Sequence, residues 1–247
     1  MTERALDKEV LAQRCRDVTE NLKAIRENIA RAAEKSGRSP SDITLLAATK
    51  TVPPEVINHA IVNEGLTHIG ENKVQELCSK YDELKLEHCS CEFIGHLQTN
   101  KVKQLMDKVD RIQSVDSVKL AKEISRLAQR DGRVMPILIE VNIGGEESKS
   151  GVAPEALEEL LGEIATLPNL SVQGLMTIPP ISENIVNTGR FFSKMYKNFI
   201  DIKAKKLDNI CMDYLSMGMS SDYELAIESG ANIVRIGSSI FGKRVYR

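Results

Sequence analysis

Residues 43–54 read ITLLAATKTVPP. The mainly apolar run from Ile43 to Ala48 stops at Thr49, Lys50 follows it, and two prolines close the segment. A short apolar run with this boundary is typical of a buried parallel strand. We expect Lys50 to emerge at the carboxyl end of that strand, where α/β folds carry their chemistry. An ordinary lysine amine has a pKa of about 10.4, but a confined or cationic site can lower it to about 7 to 8 and make the amine nucleophilic. Lys50 is therefore the first candidate for a reactive residue, although an ordinary solvated lysine at a strand end fits the same pattern.

Short apolar runs alternate with helical patterns along the rest of the chain. The predicted strands are 44–48, 67–70, 92–95, 111–115, 134–141, 172–178, 212–217 and 232–236. The predicted helices between them are 54–63, 74–84, 101–108, 118–130, 156–166, 189–202 and 222–228. Eight strand–helix units in this length predict an α/β fold of the closed (βα)8 TIM-barrel type. A doubly wound open sheet is the alternative, and it is less favoured because no glycine-rich dinucleotide turn follows the first strand.

An amphipathic helix precedes the first strand and takes up residues 1–36. Its apolar positions alternate in steps of four and three, at Leu11, Cys15, Val18, Leu22, Ile25, Ile29 and Ala32. We expect the helix to end at Ser36-Gly37, where the glycine can adopt a left-handed cap. So few heptads favour packing onto the body of the protein over a dimeric coiled coil. We expect a single domain over residues 1–247, present as a monomer or a weak dimer.

Composition excludes several classes of function. The 33 basic and 35 acidic residues leave a net charge of −2, aromatic residues make up 4% and tryptophan is absent, so neither the basic patch nor the stacking platform of a nucleic-acid binder is expected. No apolar stretch approaches the length of a membrane span, and the charged N-terminus does not resemble a secretory signal. Five irregularly spaced cysteines suit a reducing compartment. We expect a cytoplasmic protein, with an organelle that uses its own import peptide as the alternative.

Two serine- and glycine-bearing turns follow the last two predicted strands, SMGMSS at 216–221 and RIGSS at 235–239. Barrels commonly bind phosphate after strands seven and eight, because glycine allows close backbone approach while hydroxyl and N–H groups point at the anion. Two ordinary helix caps are the alternative, and Ser221 and Glu224 are expected to form a capping box. Strands one and eight are neighbours in a closed barrel. A ligand with both an aldehyde and a phosphate, such as pyridoxal 5′-phosphate, could therefore bridge Lys50 and the two turns.

Seven segments carry a resemblance to a known family. They are ATKT at 48–51, HIGEN at 68–72, FIGHLQ at 93–98, SKSG at 148–151, GLMTIP at 174–179, SMGMS at 216–220 and RIG at 235–237. In combination they resemble the pyridoxal phosphate homeostasis proteins, formerly called proline synthetase co-transcribed homologues, whose barrel is similar to the cofactor-binding barrel of alanine racemase. The resemblance covers nearly the whole chain. It implies an alanine-racemase-like barrel with an extra N-terminal helix and a role in intracellular vitamin B6 homeostasis and delivery.

The resemblance also implies the residues of a cofactor site. Lys50 would form a Schiff base with pyridoxal phosphate, and Arg235 would face the pyridine nitrogen. The remaining cofactor-binding residues that it implies are Ser220, Gly237 and Ser238 at the phosphate, Asn72 beside the ring, and Met217 and Met219 along the ring edges.

We expect the chain to hold the cofactor and to deliver it, with apo-enzymes as possible recipients, rather than to turn over a substrate. A fixed positive charge at the ring nitrogen disfavours its protonation and weakens the cofactor as an electron sink. Alanine racemase takes its second acid–base residue, a tyrosine, from another domain and subunit, and this sequence shows no such domain. A weak racemase or lyase that uses the same cofactor remains the main alternative. A Schiff-base aldolase without cofactor and a scaffold that recruits partners through its N-terminal helix are two others.

Two further features have ordinary structural explanations. His96 could act as a proton donor at the barrel mouth, but a structural hydrogen bond is favoured. His88, Cys89 and Cys91 superficially suggest a metal site. We expect no metal there, because zinc sites usually separate their cysteines by two to four residues.

Overall fold

Eight parallel strands pair edge to edge in a closed barrel in the computed structural model, which describes residues 3–146, 148–180 and 184–242. The strands are β1 (Thr44–Ala48), β2 (His68–Glu71), β3 (Ser90–Phe93), β4 (Arg111–Val115), β5 (Met135–Glu140), β6 (Leu170–Met176), β7 (Ile210–Ser216) and β8 (Ile233–Ile236). Each strand pairs with the next one along the chain, and β1 pairs with β8 to close the ring. The predicted (βα)8 TIM barrel is confirmed.

Helices follow most of the strands and form the outer layer. The α-helices are α1 (Glu3–Lys35), α2 (Pro54–Val62), α3 (Val74–Lys80), α4 (Val118–Arg130), α5 (Leu157–Ala165), α6 (Ile185–Lys205), α7 (Tyr223–Glu228) and α8 (Ser238–Phe241). Short 3₁₀ segments lie between them, at Pro40–Asp42, Tyr81–Glu83, Thr99–Gln104 and Pro154–Ala156. None of the helices in the described part of the chain is both long and apolar enough to cross a membrane.

Several predicted boundaries differ from the structure, most of them by one to four residues. The third strand is Ser90–Phe93 instead of 92–95, and its pairing with β2 runs from His68–Ser90 to Glu71–Phe93. The helix predicted at 101–108 is the 3₁₀ segment Thr99–Gln104 followed by turns, since its backbone bonds run from residue i+3 to residue i. The helix predicted at 189–202 is longer, because α6 runs from Ile185 to Lys205, and residues 181–183 before it lie outside the described residues.

The N-terminal helix packs against the body of the protein, as its apolar stripe predicts. Its fully or nearly fully buried side chains include Val18, Leu22, Ile25, Ile29 and Ala32, and each of the larger ones contributes about 1.5 to 3 kcal/mol through burial. The helix contacts α2, α7 and α8, and the Asn21 side chain donates a hydrogen bond to the carbonyl oxygen of Ile240 at 3.0 Å. It ends as predicted, with Gly37 in the left-handed conformation at φ +71°. Helix α1 therefore braces the two helices that follow β7 and β8.

The strands present alternate residues to two different environments. Odd-numbered apolar residues of β1 face the helices, whereas Leu46 and Ala48 belong to a small apolar cluster inside the barrel. Polar side chains share the interior with that cluster, including Glu92, Gln113 and Arg235, which are all nearly fully buried. The barrel interior is therefore a mixed core of apolar and polar side chains.

Gly174 in β6 provides a test of the barrel packing. Its φ is +155°, and a Cβ at this position would collide with the carbonyl group of Tyr214, so there is no room for a side chain. We expect Gly174→Ala to lower the free energy of unfolding by about 3 kcal/mol or more, from overpacking and backbone strain. Gly162→Ala is the matched control, because an added Cβ in α5 would have no atom within 4 Å, and it should stabilise by about 0.5 to 1 kcal/mol. Urea denaturation of both variants measures the difference, and equal midpoints would contradict it.

Candidate functional site

A cleft of about 910 Å³ opens at the carboxyl ends of β1, β2 and β8. Seven of the eight predicted cofactor-binding residues line it: Lys50, Asn72, Met219, Ser220, Arg235, Gly237 and Ser238. The residues are distributed over four different loops or strand ends, which shows that the barrel brings them together. This is the end of the barrel at which α/β barrel enzymes bind their ligands.

Met217 is the predicted residue that the structure keeps away from the cleft. Its side chain is fully buried in the apolar core between the barrel and its helices. The reason is strand alternation, because the preceding residue, Ser216, directs its hydroxyl into the barrel, where it contacts Gln113 and Arg235. Met219, two residues farther along, does line the cleft.

The loops after β7 and β8 meet at the hydroxyl of Ser220. Its Oγ accepts hydrogen bonds from the backbone N–H groups of Gly237 and Ser239, each at 3.3 Å, and the Ser239 hydroxyl donates to the Ser220 carbonyl oxygen at 3.4 Å. Two backbone N–H donors thus converge on the Ser220 hydroxyl oxygen, and Ser220 and Ser238 both line the cleft. This donor set suits a phosphate group. We call it the serine cradle (Ser220, Gly237, Ser238 and Ser239).

Glycines allow the close approach on which this cradle depends. Gly218 has φ +93°, and a Cβ there would lie 2.5 Å from the Cβ of Ala226. Gly237 lies against β1, because a Cβ on it would be 3.2 Å from the carbonyl oxygen of Ala48. The cradle is therefore next to the strand that ends at Lys50, as the sequence predicts.

The predicted capping box of Ser221 and Glu224 is wrong. Helix α7 begins at Tyr223 with Asp222 as its N-cap residue. The Asp222 carboxylate instead accepts the N–H of Met219 at 2.6 Å, because it folds back onto the loop rather than forward onto the helix. Asp222 therefore stabilises the turn that carries Met219 and Ser220.

Arg235 forms part of the cleft floor and is held from within the barrel. Its Nη1 donates to the Ser216 hydroxyl at 2.7 Å and its Nη2 donates to the Thr177 carbonyl oxygen at 2.9 Å. The Ser216 hydroxyl donates in turn to Gln113 at 2.6 Å, and the Gln113 amide donates to Glu92 at 2.7 Å. Burial lowers the pKa of Arg235 to about 10, which still leaves it charged at neutral pH. The guanidinium is thus a fixed positive charge.

Glu140, at the end of β5, balances this charge only in part. Its pKa is raised to about 7, mainly by burial and also by the nearby Asp116, while Arg235 acts to lower it. Its Oε2 is buried and has no hydrogen-bond partner among the described residues. With its pKa raised to about 7, Glu140 is expected to change its charge near neutral pH. Sequence patterns could not reveal this, because the groups that set its pKa are far apart along the chain.

Asn72 leaves an acceptor unused in the cleft wall. Its backbone N–H donates to the Glu71 carboxylate at 3.2 Å, but its side-chain Oδ1 is buried and has no partner in the described part of the chain. A buried amide oxygen without a partner is costly, and a ligand hydroxyl could satisfy it. Pyridoxal phosphate carries a ring hydroxyl, an aldehyde and a phosphate. The orphan oxygen, the Lys50 amine and the serine cradle together fit that molecule.

His96 and the cysteine cluster lie outside the cleft. His96 is exposed, and its Nδ1 is 3.0 Å from the Ser150 hydroxyl and 3.9 Å from the Asp116 carboxylate. Cys89 and Cys91 are both buried, and burial raises the pKa of Cys89 to about 12 and also raises that of Cys91. Thiols with such pKa values stay protonated and unreactive. The described residues contain no group of three or more side chains that could hold a metal ion.

This chain is similar in sequence to a known protein family and to curated relatives. Residues 21–245 match the family model described as the alanine racemase N-terminal domain. The pyridoxal phosphate homeostasis protein of Aquifex aeolicus is 48% identical over 227 residues, which cover 92% of this chain and 98% of that protein. The protein of the same name from Escherichia coli K12 is 38% identical, over 93% of this chain and 98% of that protein.

Solved structures show the same fold. PipY of Synechococcus elongatus, determined with pyridoxal phosphate bound, superimposes with a TM-score of 0.80 at 30% identity, over 91% of this chain and all of that chain. Alanine racemase of Clostridium difficile superimposes with a TM-score of 0.67 at 16% identity, over 93% of this chain and 57% of that enzyme. The second match shows a shared fold alone.

The titration of Glu140 predicts a pH-dependent stability. Its pKa is about 7 in the folded protein and about 4.3 in an unfolded chain, so the folded state binds its proton more tightly. The contribution of this tighter proton binding to the free energy of unfolding is fully present below about pH 4 and is lost as the pH rises through 7. Glutamine stays neutral, so Glu140→Gln does not lose this stabilisation as the pH rises. The difference in the free energy of unfolding, variant minus unmodified protein, should therefore increase by about 2 to 3 kcal/mol from pH 5 to pH 8. Urea denaturation at several pH values measures this, with the exposed Glu159→Gln as the control, and a pH-independent difference would contradict it.

Proposed function

Since this chain belongs to the family of the pyridoxal phosphate homeostasis proteins, we propose that it binds pyridoxal phosphate as a Schiff base on Lys50 and delivers it to apo-enzymes. The observation that carries the proposal is that Lys50 and three residues of the serine cradle, Ser220, Gly237 and Ser238, line one cleft at the ends of neighbouring strands of the closed barrel. An amine can capture the aldehyde of the cofactor while the cradle holds its phosphate. The PipY structure with bound pyridoxal phosphate supports the identity of the ligand.

Different residues of the cleft are proposed to bind different groups of the cofactor. When bound, the cofactor supplies an aldehyde that condenses reversibly with an amine and releases water. Lys50 provides that amine. The serine cradle provides hydroxyl and N–H donors for the phosphate, and Asn72 offers its orphan oxygen to the ring hydroxyl. Met219 provides apolar contact at the rim of the cleft.

Holding the cofactor is better supported than catalysis with it. The titratable residues that line the described part of the cleft are Lys50, Arg14 and Arg235. Arginine keeps its proton at neutral pH, so racemisation would find no second acid–base group in that lining. Arg235 is fixed by Ser216 and Thr177, and its positive charge would disfavour protonation of a nearby ring nitrogen. Both features favour a carrier over a racemase or a lyase.

We propose that residues 1–247 act as a single cofactor-binding domain, which is supported by the burial of the apolar stripe of α1 against α2, α7 and α8. We also propose that the protein works in the reducing environment of the cytoplasm. All five cysteines are free thiols, as expected in such a compartment.

Covalent capture on Lys50 can be tested directly. We expect the purified protein to turn yellow with pyridoxal phosphate, and borohydride to fix the cofactor mass on the peptide that contains Lys50. Lys50→Ala should abolish this label because it removes the nucleophile. Lys122→Ala, which removes an exposed lysine of α4, is the matched control and should label normally. A label found on a different lysine of the unmodified protein, with Lys50 unlabelled, would refute the proposal.

Delivery needs a separate experiment. The loaded protein is mixed with an apo-enzyme that requires pyridoxal phosphate, in the presence of a phosphatase that destroys the free cofactor. We expect enzyme activity to return, because the Schiff base is reversible and protects the cofactor until transfer. The control is the same loaded protein after borohydride reduction, which locks the cofactor on Lys50 and should restore no activity. Recovery that is no faster than with an equal amount of free cofactor would exclude delivery.

A further inference from the structure

The backbone on the C-terminal side of Lys50 adopts an unfavourable conformation. Thr51 has φ +62°, in the left-handed region, where a β-branched residue is a genuine outlier that costs about 1 to 3 kcal/mol. Its N–H donates a hydrogen bond to the Glu76 carboxylate of α3, and its hydroxyl donates to the Lys50 carbonyl oxygen at 2.6 Å. Glu76 therefore holds a strained residue in place directly beside the reactive amine.

The backbone on the N-terminal side of Lys50 is fixed by the same helix. The carbonyl oxygen of Thr49 accepts a hydrogen bond from Nζ of Lys80 at 2.9 Å, and the buried Thr49 hydroxyl donates to Glu71 at 2.6 Å. Lys80 forms ion pairs with Glu71 and, at 3.4 Å, with Glu76. The side chains of Lys80 and Glu71 are almost fully buried, at 7% and 0% exposure. An ionic cluster of two buried residues, Glu71 and Lys80, and the partly exposed Glu76 thus contacts both neighbours of Lys50.

We propose that Glu76 is a positioning residue for Lys50, which holds the left-handed Thr51 turn so that the Lys50 amine is aimed into the cleft. The inference rests on the proposed function. In the capture step the Lys50 nitrogen forms a double bond to the aldehyde carbon of pyridoxal phosphate. The carbonyl oxygen leaves as water and takes both hydrogens of the neutral amine. Glu76 touches none of these atoms and acts through the Thr51 N–H.

A simple attachment of α3 to the barrel explains the cluster less well. Such an attachment could end on any backbone group of β1, whereas these contacts end on the two residues that flank Lys50. The second oxygen of Glu71 also accepts the N–H of Asn72, so the cluster holds a second residue of the cleft lining. Strain that is held by surrounding contacts is frequent at functional sites.

The kinetics of cofactor capture distinguish an effect on the position of Lys50 from an effect on the initial noncovalent docking of pyridoxal phosphate. The half-saturating concentration of pyridoxal phosphate reports the docking step, and the limiting first-order rate reports attack by Lys50. We expect Glu76→Ala to lower the limiting rate about tenfold and to leave the half-saturating concentration within about twofold. Glu76→Gln keeps an oxygen acceptor for the Thr51 N–H and should retain a rate within about threefold of the unmodified protein. Ser220→Ala should show the opposite pattern, with weaker docking and little change in the limiting rate.

A glycine at position 51 tests whether the backbone strain is the link. Glycine adopts φ +62° without a steric penalty, so its turn should depend less on Glu76. We expect Glu76→Ala to lower the limiting rate only about twofold in a Thr51→Gly background. Hydrogen exchange of the Thr51 amide in the cofactor-free protein gives a readout that needs no cofactor. That amide should exchange faster in Glu76→Ala and at the normal rate in Glu76→Gln.

The outcomes distinguish this inference from the proposed function. Normal capture on Lys50 by the unmodified protein, with an unchanged limiting rate and unchanged Thr51 exchange in Glu76→Ala, would overturn the positioning role alone. The same holds if Glu76→Ala lowers the melting temperature and nothing else. Absence of capture on Lys50 in the unmodified protein would overturn the proposed function and this inference together.

Discussion

The pairing of β1 with β8 is the constraint on which the rest of the site depends. Their register, which pairs Thr44 with Ile233 and Ala47 with Ile236, closes the barrel and brings the first and last strands side by side. Closure leaves no edge strand to be protected, and it also fixes the distance between the loops at the two strand ends. Lys50 and Gly237 each follow one of these strands. Their proximity is therefore a property of the closed sheet and does not depend on flexible loops.

The polar interior of the barrel follows from the need to orient Arg235. Burying a guanidinium is costly, and the cost falls when its donors find acceptors and when a counter-charge is near. Ser216 and Thr177 supply the acceptors, while Glu140 supplies a counter-charge that is itself weakened by burial. Apolar residues of similar size could fill such an interior with a smaller desolvation cost. The presence of a hydrogen-bonded chain instead indicates that the direction of the Arg235 side chain matters.

Sequence patterns predicted the barrel and most of the candidate residues that line the cleft, because their signals are local. Apolar runs located all eight strands, and the motifs at strand ends identified Lys50 and the serine cradle. Met217 was predicted to line the cleft, but it does not. Side chains alternate along a strand, so Met217 points away from the barrel interior because Ser216 points into it. Glu76 and Lys80 were missed for a different reason. They act through backbone atoms of residues on another element, and no spacing within the sequence reports such contacts.

The open cleft is better suited to a carrier than to a carbanion enzyme. Enzymes that stabilise carbanions gain from excluding water, because a dry site strengthens electrostatic interactions and prevents side reactions. Val10 and Arg14 of α1 form part of this cleft wall, and Val10 is 56% exposed. The wall of the cleft is therefore accessible to water on the side of α1. For a carrier of the proposed kind that access would be useful, because hydrolysis of a Schiff base on Lys50 would release the cofactor.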